Sequence, residues 1–152
     1  KHFKNPYILF HFDEKWIHKE YITKYTNIEP SVNELIFFFN SIILKTNQNL
    51  VITTGIKTPD ILNKIFSNKI NSKIFFYENL SFLDIEKIVD KSNLLISCHG
   101  AISHMAAAKN IKIIDIIDPS YHYFKWTDHF RNYYALNRKK FSELSKEIAN
   151  LI

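Results

Sequence analysis

Leu94-Leu95-Ile96-Ser97-Cys98-His99-Gly100-Ala101-Ile102-Ser103-His104-Met105-Ala106-Ala107-Ala108 decides how this chain folds. An apolar run enters a turn that holds one of the two glycines in the sequence. A run of small residues with helical character follows, and then a second apolar run, Ile111 to Ile117. That order reads as strand, glycine turn, helix N-terminus and strand. The first turn of a helix presents unpaired N–H groups and the positive end of the helix dipole, so the turn suits an anion such as a phosphate. Gly100 can take backbone angles that other residues resist, and it lets a ligand approach the main chain. Ser103 and His104 can donate from a hydroxyl and a ring nitrogen within the first helical turn, a set that suits a diphosphate. The plainer alternative is that Gly100 only makes the turn and His104 satisfies a backbone carbonyl. Met105 to Ala108 read as packing, because small residues let a helix approach a sheet closely.

Outward from this stretch, strands and helices alternate. Tyr7 to Phe10 is a short β-rich run after Pro6, and His11 to Tyr21 reads as a loop with a short helix. Ser31 with Glu34 three residues on is a capping box for a helix running to about Lys45. Leu50 to Thr54 is a second strand ended by Gly55. Thr58 is expected to cap a helix with Pro59 at its first position. Lys73 to Tyr77 is a third strand, and Ser81 caps the helix after it. Leu94 to Ser97, Ile111 to Ile117 and Tyr133 to Leu136 complete the strands, and Ser142 to Ile152 closes the chain as a helix. Short strands, apolar on both faces and joined by helix-length segments, predict an α/β domain. Its form is a doubly wound, Rossmann-like, mostly parallel sheet with helices on both faces.

Right-handed crossovers place the strand C-terminal ends along one edge, where such folds bind ligands. The loops expected there are 11–15, 54–58, 77–81, 99–104 and 118–121. Lys15 follows the first strand and can reach the phosphates of a ligand held by the opposite loop. It is otherwise one surface lysine among many. Trp16 reads as a packing residue that fixes this loop. Asp118 can hydrogen-bond a sugar hydroxyl, although Pro119 beside it favours a plain turn. Asp13 and Glu14 could supply acid–base chemistry or simply be solvated. Cys98 reads as a small buried residue.

With 152 residues, 46% of them hydrophobic, the chain can bury the core of one domain. The single cysteine excludes an internal disulfide and fits a reducing compartment. No apolar run approaches the roughly 20 residues of a membrane span. The net charge of +5 reads as a solvated basic surface, an anionic ligand or peripheral contact with acidic lipid. No nucleic-acid partner is expected, because no zinc-knuckle spacing, RNP-like strand or arginine cluster is present. His99 and His104 are five apart rather than four and lack a nearby Glu, so no metal site is expected. A P-loop, a GxGxxG fingerprint and a Ser-His-Asp set are absent too, which disfavours mononucleotide kinases and dehydrogenases.

The order of features resembles the C-terminal, donor-binding domain of GT-B fold glycosyltransferases, above all the heptosyltransferase-like family of lipopolysaccharide synthesis. Lys15-Trp16 is similar to that family's Lys-Trp element after the first strand. Thr54-Gly55 matches its strand ending in a Gly turn, and Asn79-Leu80-Ser81 its segment before a Ser-capped helix. Ser103-His104-Met105-Ala106-Ala107 matches its Ser-His-x-Ala-Ala run, and Ile113 to Pro119 the strand and Pro turn that follow. The resemblance covers nearly the whole chain. It implies that Lys15 and the 99–104 turn (His99, Gly100, Ala101, Ser103 and His104) hold the diphosphate of a nucleotide-sugar donor. It implies that Leu80 and its neighbours flank the base; Thr54 and Gly55 are further candidate donor contacts, and His99 is the candidate catalytic residue. The family carries Asp at the position of His99 and Gly at that of Ala101, so the donor sugar is left open. Asp60 is the nearest match to the family's acidic residue after the second strand.

The expected activity is metal-independent hexosyl or heptosyl transfer in the synthesis of a bacterial surface glycan or lipopolysaccharide. No cofactor is expected, in line with the lack of a DxD metal motif. The expected acceptor is a glycan or glycolipid; the resemblance implies a two-domain enzyme whose N-terminal domain supplies the acceptor and usually the catalytic base, with this chain as the second domain. The expected location is cytoplasmic, peripheral at the inner face of the membrane. The alternatives are a non-catalytic nucleotide- or sugar-binding module and a nucleotide-sugar epimerase on the same fold.

Overall fold

A computed structural model describes residues 5–67 and 70–152. Six strands form one sheet: β1 (Tyr7–His11), β2 (Leu50–Thr53), β3 (Ile74–Tyr77), β4 (Ser92–Cys98), β5 (Lys112–Ile117) and β6 (Tyr133–Asn137). All pairings are parallel, in the order β3-β2-β1-β4-β5-β6. The helices are α1 (Val32–Thr46), α2 (Asp60–Phe66), α3 (Phe82–Asp90), α4 (Ala101–Ala108), α5 (Phe124–Thr127) and α6 (Phe141–Leu151), with one 3-10 turn at Glu14–Trp16. The doubly wound parallel sheet expected from the alternating pattern is therefore present. The winding reverses between β1 and β4, and the loops that leave those two strands part to open a crevice.

Strand periodicity divides the core in two. Ile8, Phe10, Leu50, Ile52, Leu94 and Ile96 face α1, α2 and α6, while Tyr7, Leu9, Val51 and Leu95 face α3 and α4. Both faces are covered, so every residue of β1 and β2 is buried. Trp16 is fully buried, stacks on Phe12 with ring centroids 5.5 Å apart, and donates from Nε1 to the His11 carbonyl at 2.9 Å. It pins the loop after β1, as a packing residue should.

The capping box is formed: Ser31 Oγ accepts from Glu34 N at 3.3 Å, and Ser31 N donates back to the Glu34 carboxylate at 2.8 Å. Ser81 caps α3 in the same way through Asp84 N. Thr58 does not cap α2. Pro59, extended at ψ 138°, is the cap residue, and the Thr58 hydroxyl donates to Glu78 instead at 2.5 Å. The aromatic segment after Pro119 holds the short helix α5, for which the sequence shows no apolar period. Among the described residues no helix is long and apolar enough to cross a membrane.

Candidate functional site

A cleft of about 460 Å³ opens at the β1/β4 reversal. Lys15, Thr54, Gly55, Leu80, Gly100 and Ala101 line it, so six of the residues singled out in the sequence converge from four loops. Its polar lining comes from His11, Asp13, Lys15, Thr54 and the start of α4. Its apolar lining comes from Ile56, Leu80, Phe82, Ile85 and Met105.

The polar lining is built on the end of β1. Asp13 is buried, accepts from Lys15 N at 3.1 Å and is ion-paired with Lys15 Nζ. Burial disfavours the Lys15 ammonium, but pairing with Asp13 outweighs that cost and holds the group above the ordinary lysine range. Lys15 is therefore a fixed cation. Asp13, which the sequence left open as a solvated acid, is its buried counter-ion. His11 lies behind them, with Nε2 3.6 Å from Asp13 and Nδ1 2.9 Å from Thr53 Oγ1. Burial pushes the His11 imidazole below its ordinary range, against the pull of Asp13.

Gly100 caps α4 in an extended conformation, φ 175°, open to any residue, so turn geometry does not require glycine there. Close approach favours it: a Cβ on Gly100 would lie 3.3 Å from Lys15 Nζ, so the ammonium would have to shift by a few tenths of an ångström. The ammonium thus sits beside the free N–H groups of α4, and both present positive charge to one point of the cleft. Gly55 answers the same need, since its Cβ would come within 2.8 Å of Glu14 Oε2 and 3.3 Å of Asp13 Cβ.

Three of the expected site residues stand elsewhere. Ser103 is fully buried, and its hydroxyl donates to Asp115 Oδ1 at 2.8 Å rather than facing the cleft. A helix turn advances each residue by about 100°, which carries Ser103 to the sheet side of α4. His104 is exposed and packs its ring on His99 and Phe130, at centroid distances of 5.3 and 5.1 Å. Burial and the neighbouring His99 hold its imidazole below the ordinary range. His99 turns toward β5, with Nδ1 2.5 Å from Asp115 Oδ2. Asp118 accepts from Ser120 N at 2.9 Å, the turn role that Pro119 suggested. Cys98 is buried, and burial pushes its thiol up, so it carries no nucleophile. Among the described residues no group of three or more His, Cys, Asp or Glu is placed to hold a metal ion.

The sequence reading missed Asp115, Tyr133 and Arg138. A carboxylate inside the apolar run Lys112–Ile117 was the available signal for Asp115. Nothing local marks Arg138, whose guanidinium is buried under Lys15, 123 residues away in sequence.

No protein-family model matches the chain, and no curated protein matches it in sequence. Solved structures do match. The UDP-GlcNAc 2-epimerase of Methanocaldococcus jannaschii is 13% identical with a TM-score of 0.64, over 97% of this chain and 38% of its own. The E. coli ADP-heptose lipopolysaccharide heptosyltransferase II is 14% identical with a TM-score of 0.65, over 97% of this chain and 46% of its own. The C-terminal domain of a group 1 glycosyltransferase (LpcC) from Francisella tularensis is 13% identical with a TM-score of 0.54, over 97% of this chain and 77% of its own. The chain spans less than half the length of the epimerase and the heptosyltransferase. The resemblance read from the sequence holds as a likeness of fold: nearly the whole chain has the architecture of a domain found in glycosyltransferases and nucleotide-sugar epimerases.

Proposed function

We propose that this chain is the nucleotide-sugar-binding domain of a metal-independent glycosyltransferase that builds a bacterial surface glycan or lipopolysaccharide. The observation that carries the reading is the cleft at the β1/β4 reversal, which is lined by both polar and apolar residues. Lys15 and the N-terminus of α4 offer positive charge where a diphosphate would lie. Leu80, Ile56 and Phe82 offer an apolar slot for a base; Ile56 and Phe82 are 96% and 67% exposed, apolar surface available for cover by a ligand. Thr54, Gly55 and Ala101 complete the donor contacts. The charge on Lys15 and the α4 dipole would stabilise the leaving diphosphate in place of a cation.

A glycan or glycolipid acceptor, an N-terminal acceptor domain and a cytoplasmic site at the inner membrane face belong to the same proposal. The net charge of +5 supports attraction to an anionic donor and to acidic lipid.

Titration calorimetry with UDP, ADP, GDP and CMP, free and sugar-linked, tests the reading. Binding of one nucleotide, tightened by its sugar, is expected. A folded protein that binds none of them overturns it. Epimerisation is the second reading, favoured by the 2-epimerases among the fold matches. It predicts interconversion of a bound nucleotide sugar with no acceptor present.

A further inference from the structure

A row of aromatic rings begins at the cation of the cleft. Lys15 Nζ lies 5.6 Å from the centre of the Tyr21 ring. Tyr21 packs on Tyr25 with centroids 6.3 Å apart, Tyr25 on Tyr121 at 5.8 Å, Tyr121 on Tyr123 at 6.1 Å, and Tyr123 on Trp126 at 6.2 Å. The first two rings come from the loop after the 3-10 turn, and the other three from the segment after β5. Two of them hold structure: the Tyr25 and Tyr123 hydroxyls share a hydrogen bond at 3.3 Å, and the Tyr25 ring lies 4.7 Å from the Arg138 guanidinium. Tyr21 and Tyr121 are 55% and 43% exposed, and their hydroxyls have no hydrogen-bond partner among the described residues.

Sheet order indicates what would meet these rings. Ile56 follows β2, Leu80 and Phe82 follow β3, Lys15 and Gly100 follow β1 and β4, and Tyr121 follows β5. A nucleotide sugar with its base over β2 and β3 and its diphosphate over β1 and β4 therefore carries its sugar toward β5, where the aromatic row lies. The carboxylates at that end are engaged. Asp115 is fully buried and accepts from His99, Ser103 and Tyr133, and Asp118 accepts from Ser120 N. Tyr21 and Tyr121 instead offer ring faces with hydroxyl tips, which suit the C–H face of a pyranose and the hydroxyls at its edge. The two loops, 18–26 and 120–128, carry Lys19, Lys24 and Lys125 beside Glu20 and Asp128, a near balance of charge that suits an uncharged group.

We propose that Tyr21 and Tyr121 form a stacking platform for the sugar of the donor, which is met by its ring face and not by a carboxylate; this rests on the donor-cleft reading above. Stacking on a face tolerates changes of individual hydroxyl groups, so the platform takes uncharged pyranoses as a class.

The test is calorimetry on the full chain, with UDP, ADP and GDP compared with UDP-N-acetylglucosamine, ADP-heptose and GDP-mannose. The quantity read is the affinity for the nucleotide sugar divided by that for its free nucleoside diphosphate, so a smaller folded fraction or a displaced Lys15 cancels. For the nucleotide that binds, the wild-type ratio is expected to be about tenfold or more. Tyr21→Ala and Tyr121→Ala are each expected to lower it by about threefold or more. Tyr21→Phe, which keeps the ring face, is expected to retain most of it. A sugar that adds no affinity, a wild-type ratio in either alanine variant, or a Tyr21→Phe that loses as much as Tyr21→Ala overturns the platform and leaves the cleft standing. Weaker binding of the free nucleotide at an unchanged ratio overturns it too, because the base would then lie on the rings. Cosedimentation with phosphatidylglycerol vesicles that both alanine variants lose, at an unchanged ratio, would assign the rings to a membrane instead. Absence of nucleotide binding overturns the cleft and the platform together.

Discussion

Arg138 Nη2 donates to the carbonyl of Lys15 at 2.8 Å, so the residue that follows β6 holds the loop that follows β1. The same guanidinium donates from Nε to the Thr26 carbonyl at 3.2 Å, contacts Cys98 Sγ at 3.6 Å and lies over the Tyr25 ring at 4.7 Å. It is 8% exposed and has no carboxylate partner among the described residues. Two carbonyls and a ring therefore do the work of a counter-ion, and the cation becomes a brace under the cleft.

Arg138→Ala leaves the Lys15 and Thr26 carbonyls without this donor. Stability is expected to fall by about 2–3 kcal/mol, read from urea unfolding at neutral pH. Arg138→Lys is expected to recover less than half of that, because an ammonium lacks the planar fork that spans both carbonyls.

Lys15→Ala removes the cation and strands Asp13, which is 3% exposed. Nucleotide affinity is expected to fall more than about tenfold, or about 1.4 kcal/mol, and stability by about 3 kcal/mol. The double variant Lys15→Ala/Asp13→Asn separates the two effects. It is expected to regain stability but not affinity in paired unfolding and calorimetry experiments. Affinity that returns with Asp13→Asn would remove Lys15 from the donor site.

His11 gives the fold a pH dependence of defined sign. Burial lowers its pKa in the folded chain. Below the ordinary histidine value of about 6.5 the unfolded chain takes up a proton that folded His11 refuses. The stabilisation is complete above that value and is lost as pH falls through the lowered one. Its steepest slope is about 1.4 kcal/mol per pH unit. His104 shifts in the same direction, so the comparison of wild type with His11→Asn isolates the His11 share. A flatter stability profile between pH 7 and 5 is expected for the variant; identical profiles would exclude His11 as the source.

Ser103→Ala separates a structural serine from a phosphate-binding one. Its hydroxyl is spent on Asp115, so a loss of about 1–2 kcal/mol in unfolding free energy is expected. Nucleotide affinity measured by calorimetry should not change. A tenfold loss of affinity in a folded variant would return Ser103 to the ligand.

The sequence made the cleft legible wherever a local rule places a residue. Lys15, Thr54, Gly55, Leu80, Gly100 and Ala101 were readable because each follows a strand, and parallel strands bring their C-terminal ends to one edge. Ser103 and His99 were misplaced because position in a motif does not set side-chain direction. One lies on the sheet side of α4, and the other is drawn to a carboxylate on β5. Thr58 was one residue out, as helix boundaries often are when Pro precedes the first turn.

By itself the sequence determined the alternation of strands and helices, the caps at Ser31 and Ser81, and the set of loops that had to share an edge. Those depend on the period of apolar residues and on hydrogen bonds within a few residues. Tertiary structure alone decided that Asp13 is paired with Lys15, that Asp115 accepts from His99, and that Arg138 braces the loop after β1. Each joins a charge to a partner whose place depends on how the chain packs around it. Burial then makes the pairing obligatory, because an ion taken from water is stable only where its partners are already in place.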